Sequence, residues 1–118
     1  MNLGVTGKKG EDMVAAFLRK NGYTVIKQNY ISRYGEIDIV ASKEKLLLFI
    51  EVKTRRENSL IKPCEAVDLH KQNRMRLTAE DYLSKSETNP DLQPRFDVAE
   101  VTARKDGKFE LNYIKNAF

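Results

Sequence analysis

Gly35-Glu36-Ile37-Asp38-Ile39-Val40-Ala41, the polar link Ser42-Lys43-Glu44-Lys45, and Leu46-Leu47-Leu48-Phe49-Ile50-Glu51-Val52-Lys53-Thr54-Arg55-Arg56 read as two β-rich runs around a turn, a hairpin. Side chains of a strand alternate between its faces. Glu36, Asp38 and Val40 are therefore predicted on one face, and Ile37, Ile39 and Ala41 on the other. In the second run Leu47, Phe49, Glu51 and Lys53 lie together, opposite Leu48, Ile50 and Val52. A run this apolar predicts a central strand covered on both sides. Glu51 and Lys53 are then charges at the end of a core strand, where ionised groups are costly unless paired or metal-bound. Asp38 and Glu51 share a face only if the connecting loop has an even number of residues. Two residues at Lys43-Glu44, or four from Lys43 to Leu46, satisfy this.

Asp38 and Glu51 offer only oxygen, which suits Mg²⁺ or Mn²⁺ and not zinc. A hard cation on one or two carboxylates keeps several waters, and one of these can attack a phosphodiester. Lys53, on the face of Glu51, can hold that water or offset charge on the phosphate. The bland alternative is a buried ion pair in which Lys53 bridges two acids. The combined spacing of Asp, link and Glu-X-Lys favours the site.

Asp38 followed by Glu51-Val52-Lys53 resembles the PD-(D/E)XK signature of restriction-endonuclease-like nucleases, without the proline before Asp38. A longer pattern comprises Gly10-Glu11, the 35–41 and 49–56 stretches, Glu65-Ala66-Val67 to Lys71-Gln72, and Arg95-Phe96-Asp97-Val98. It resembles the YraN family of small bacterial proteins, related in pattern to archaeal Holliday-junction resolvases. The resemblance implies a restriction-endonuclease-like fold and a metal set of Asp38, Glu51 and Val52. It also implies that Glu11 joins Asp38, Glu51 and Lys53 in the catalytic group, and that the protein acts as a symmetric homodimer.

The 118 residues predict one domain, spanning 1–118, with a core that needs no staples. Hydrophobic residues at 41% and charged residues at 32% describe an ordinary globular chain. A net charge of +4 permits nucleic acid, DNA first, without demanding it. The single Cys64 excludes an internal disulfide, and no Cys/His cluster suits zinc. The first residues lack the apolar core of a signal peptide, and no run approaches the ~20 residues of a membrane helix. A cytoplasmic protein without a membrane partner is expected.

A first helix is predicted from Lys8 to Asn21, with Met13, Val14, Phe17 and Leu18 at helical spacing, Thr6 as cap and Gly22 as stop. Glu11 falls on or beside that stripe; as a first-turn acid it would also favour the helix dipole. Tyr23–Asn29 reads as a strand and Tyr30–Tyr34 as a turn. Arg33 there is a candidate nucleic-acid contact beside the plainer reading of a hydrophobic strand end. Arg55 and Arg56 either grip a substrate backbone or are a charged strand end. Pro63 marks an irregular stretch, where Cys64 reads as an ordinary small residue.

The second helix is predicted from near Asp68, its cap, to Lys85, with Gln72, Met75, Ala79, Tyr82 and Leu83 facing inward. Lys71 and Gln72 can reach the hairpin, whereas Arg74 and Arg76 are expected to point elsewhere. Arg95–Ala103 and Lys108–Lys115 read as strands joined through Asp106-Gly107. Asp97, between Phe96 and Val98, is either structural, the favoured reading, or a remote part of the site. The order is α-β-β-β-α-β-β: an α/β fold with a mixed central sheet flanked by helices. Fold alone gives no function. The readings in play are a metal-dependent nuclease on structured or branched DNA, a non-catalytic nucleic-acid-binding module, and a protein-interaction scaffold.

Overall fold

The computed structural model describes residues 3–58 and 67–118; Pro63, Cys64, Glu65 and Ala66 lie outside the described residues. The element order is the expected one: α1 (Leu3–Lys20), β1 (Thr24–Ser32), β2 (Gly35–Lys43), β3 (Leu46–Arg56), α2 (Leu69–Lys85), β4 (Gln93–Ala103) and β5 (Phe109–Ile114). One sheet of order β1-β2-β3-β4-β5 holds all five strands. Only β3 and β4 run parallel, so the sheet is mixed and β3 is its middle strand.

Both helices end where their residue types dictate. The first closes in a Schellman arrangement, Tyr23 N–H to Leu18 C=O at 2.9 Å and Gly22 N–H to Arg19 C=O at 3.1 Å, with Gly22 left-handed at φ 85°. It begins at Leu3, so Thr6 lies inside it and is not its cap. The second is capped as expected, Asp68 accepting from the Lys71 N–H at 2.8 Å.

Each helix covers one face of the sheet. Val14, Ala15 and Leu18 of α1 pack on Ile39, Ala41, Leu48, Ile50, Ala99 and Val101. On the other face Met75, Ala79 and Tyr82 of α2 pack on Ile37, Val40, Leu47, Phe49 and Phe96. Burying side chains of this size contributes ~1.5–3 kcal/mol each, the main stabilising term. Thr78 is buried on α2's inner face, while Leu83, expected there, is 42% exposed. Among the described residues no helix is long and apolar enough to cross a membrane.

Two hairpins differ from their sequence reading. Residues Tyr30, Ile31 and Ser32 continue β1, and only Arg33-Tyr34 turn, with Ser32 opposite Gly35. The β2–β3 loop is Glu44-Lys45, one residue later than expected, with Lys43 opposite Leu46. Its even length keeps the required parity.

Besides a bulge on β1 between Val25, opposite Ala41, and Lys27, opposite Val40, regular alternation fails between Gln28 and Tyr30 on β1 and between Ile39 and Ile37 on β2. Ile39 packs under α1, yet Ile37 packs under α2 with Tyr30 and Val40. The expected grouping of Ile37 with Ile39 is therefore corrected. Asn29 is the cause: its φ of 57° cannot continue a pleat, so the strand rotates there and the paired strand follows.

A candidate active site at the parting of two strands

Asp38 lies in β2 at this break. The β2–β3 ladder stops at Ile39–Ile50, so the next positions, Asp38 and Glu51, face each other where the strands part. Asp38 Oδ2 accepts the Val52 N–H at 2.8 Å, a side chain standing in for a ladder carbonyl. Glu51 is 4% exposed, and its Oε1 receives two ammonium groups, Lys71 Nζ at 2.7 Å and Lys53 Nζ at 3.2 Å. The structure thus brings Asp38, Glu51, Lys53 and Lys71 together, as the sequence predicts. Asp38, Glu51 and Lys71 line one open cleft of about 210 Å³ with Gly35, Glu36, Arg74 and Met75.

Its electrostatics are those of crowded acids. Burial, then the Glu51 charge, pushes the Asp38 carboxyl up to about 8, the Val52 N–H opposing; Glu11 and Glu36 add to the rise. For Lys71 burial pulls downward, but contact with Glu51 outweighs it and the ammonium is held above its ordinary value. Glu11 is raised too, chiefly by burial, against a hydrogen bond from the Asn29 side chain. Its charge reaches Asp38, so Glu11 approaches the carboxylate group from the α1 side. Gly10 makes that approach possible, since a Cβ there would collide with Thr54 Oγ1 on β3.

Other predicted site residues lie apart. Gln72 donates to Val67 C=O at 3.1 Å and lines a different cavity with Val98, Ile114 and Phe118. Arg33, at the β1–β2 turn, donates to Tyr34 Oη at 2.6 Å and lies 4.8 Å over that ring. Arg55 and Arg56 continue β3 opposite Thr102 and Ala103. Asp97 is structural, as expected. It is fully buried and accepts from Arg95 Nε and Nη2 at 2.9 Å each, Tyr113 Oη at 2.7 Å and Asn116 N–H at 2.8 Å.

Two residues escaped the sequence reading. Arg74, expected to point away, lines the cleft with Nε donating to Tyr34 C=O at 3.1 Å. Its place three residues after Lys71 carried the signal, since i and i+3 share a helix face. It packs against Gly35, whose φ of 155° no larger residue adopts without strain. Asn29 is the other, an amide in a β-branched run and one of the few side chains that tolerate a left-handed backbone.

A hard cation fits the donor set, because Asp38 and Glu51 supply oxygen alone and their mutual repulsion is what a divalent ion relieves. Among the described residues no three His, Cys, Asp or Glu side chains are grouped closely enough to hold an ion by themselves. Two carboxylates and water remain a usual Mg²⁺ environment.

A sequence profile described as Uncharacterised protein family UPF0102 matches residues 10–101 of the chain. A UPF0102 protein of Alkaliphilus metalliredigens is 46% identical over 95% of this chain and 96% of its own. One from Dictyoglomus thermophilum is 43% identical over the full length of both. One from Clostridium perfringens is 43% identical over 95% of this chain and 92% of its own. All the cleft residues and Glu11 fall within the matched span.

Proposed function

The chain belongs to the UPF0102 family, and from that premise we propose that it is a metal-dependent nuclease hydrolysing phosphodiester bonds in structured or branched DNA. One observation carries the reading: two carboxylates meet at the parting of β2 and β3, in an open cleft rimmed by cations. The likeness of Asp38 and Glu51-Val52-Lys53 to the PD-(D/E)XK signature supports it.

Asp38, Glu51 and the main chain of Val52 would hold Mg²⁺ or Mn²⁺. Such an ion supplies phosphate polarisation and an acidified water. Lys53 and Lys71, partly exposed beside Glu51, offset negative charge developing on the phosphate. Arg74, its Nε tied to Tyr34, keeps its remaining N–H groups for phosphate oxygens. Glu11, raised in proton affinity by burial, suits a proton acceptor on the α1 side. Arg33, Arg55 and Arg56 serve the DNA backbone further out. A symmetric homodimer would set two such clefts on one substrate; light scattering with and without DNA tests that.

A second reading, a non-catalytic nucleic-acid-binding module, is favoured by the two lysines on Glu51 Oε1, which neutralise that acid without any ion. The experiment is incubation with Mg²⁺ or Mn²⁺ and duplex, flapped, single-stranded and four-way DNA, with calorimetric titration of each ion. Cleavage that needs the ion and disappears in Glu51→Ala is expected. No ion binding and no cleavage, with salt-dependent DNA binding retained, would leave the second reading.

A further inference from the structure

Two ammonium groups converge on a single buried oxygen, Glu51 Oε1: Lys71 Nζ at 2.7 Å and Lys53 Nζ at 3.2 Å. One lysine suffices to pair a buried carboxylate. The second brings a like charge beside the first, a cost that an ordinary structural ion pair avoids. Together they carry the +2 of the divalent ion that the oxygen donors suit. Both cannot stay when such an ion binds Glu51, because the three cations would repel one another at low dielectric.

The two lysines are not held alike. Lys53 follows Glu51 by two residues on β3, and 24% of its side chain is exposed. Lys71 reaches Glu51 from α2, with 36% of its side chain exposed, and it lines the open cleft. Its backbone is pinned, the N–H donating to the Asp68 cap at 2.8 Å, so only the flexible stem has to turn. A released Lys71 ammonium therefore remains in the cleft.

We propose that Lys71 is the resident counter-ion of Glu51: its ammonium must leave Oε1 before a divalent ion binds there, and it then stands free to meet phosphate. This rests on the nuclease reading and adds an order of events to it, the ion first and the phosphate contact second. The Lys71–Glu51 contact and the bound ion exclude each other, and such exclusion is reciprocal, with couplings of ~5–150-fold being typical. Removing the contact should therefore tighten ion binding, and binding the ion should release Lys71.

Two measurements test it, neither needing cleavage. In calorimetric titration with Mn²⁺ and no DNA, Lys71→Met should bind the ion ~10-fold or more tightly than the parent. Lys71→Arg, which keeps the charge, should bind it no more tightly than the parent. Arg74→Met removes a cleft cation whose Nε is bonded to Tyr34 C=O instead, and should gain far less. Parental affinity in Lys71→Met, or an equal gain in Arg74→Met, overturns the inference. The second measurement uses the parent itself, with lysine acetylation read residue by residue by mass spectrometry. Lys71 should react faster under saturating Mn²⁺ than in metal-free buffer, while Lys53 changes little. In Glu51→Gln, Lys71 should react fast in both buffers. An unchanged Lys71, or release of Lys53 in its place, overturns the inference while leaving the nuclease standing. If neither the parent nor Lys71→Met binds Mn²⁺, the nuclease reading falls first, and the role of Lys71 with it.

Discussion

Asp97 and Asp38 are both acids on strands of one sheet, and their surroundings could hardly differ more. Asp97 sits under α1's side of β4 with donors for both oxygens: a two-pronged arginine, a tyrosine hydroxyl and a backbone N–H. Asp38 has one backbone N–H and three carboxylates nearby, and opens into a cleft. A buried charge with its hydrogen bonds complete holds a structure together. An acid left short of donors and crowded by like charge keeps its proton until something positive arrives. The contrast separates scaffold from candidate chemistry more sharply than burial does.

The largest effect should come from the crowded pair. Asp38→Ala and Glu51→Ala should each lower metal-dependent cleavage by ~10⁴-fold, about 5 kcal/mol of transition-state stabilisation, with the fold intact. Initial rates beside circular-dichroism melts check this. If both variants cut like the parent, Asp38 and Glu51 belong with Asp97 as scaffold.

Asp97→Ala should do the reverse. It strands Arg95 and frees Tyr113 and the Asn116 N–H, at a cost of about 3–5 kcal/mol in unfolding free energy by denaturant titration. Its folded fraction should still bind Mn²⁺ with parental affinity.

A smaller effect concerns pH. Unfolded Asp38 loses its proton near 3.8, whereas in the folded chain it keeps it to about 8. Between those values the folded state binds more protons, so stability falls as pH rises through that window. Asp38→Asn removes this penalty. In metal-free buffer its advantage in stability over the parent should grow steadily from pH 4 to pH 8, then level off. A constant difference across that range would mean that Asp38 is not crowded.

Smallest is Arg33→Ala. Arg33 stacks on its neighbour Tyr34 at an exposed turn, so stability should change by less than ~0.5 kcal/mol. If Arg33 meets a phosphate, the slope of log affinity against log salt should drop by about one. An unchanged slope removes it from the DNA-contacting set.

Several of these features are legible in the chain alone. The apolar run 46–52 makes β3 central, the spacing from Asp38 to Glu51 and Lys53 sets one site, and Asp68 and Gly22 mark helix ends. Each follows from a local rule: side-chain period, capping chemistry, or the expense of a charge beside apolar neighbours. What the sequence could not settle depends on distant partners. Arg74 enters the cleft because Tyr34 C=O and the bare Gly35 receive it, residues 40 and 39 positions away. Asp97 is structural because Tyr113 and Asn116 return to it from β5 and beyond. Alternation places Ile37 with Ile39 until one left-handed Asn on the neighbouring strand rotates both strands. Period and propensity act over a few residues, so they can be read along the chain. The direction in which a strand turns at a break, and the group that then meets a buried carboxylate, are fixed only when the layers close on one another.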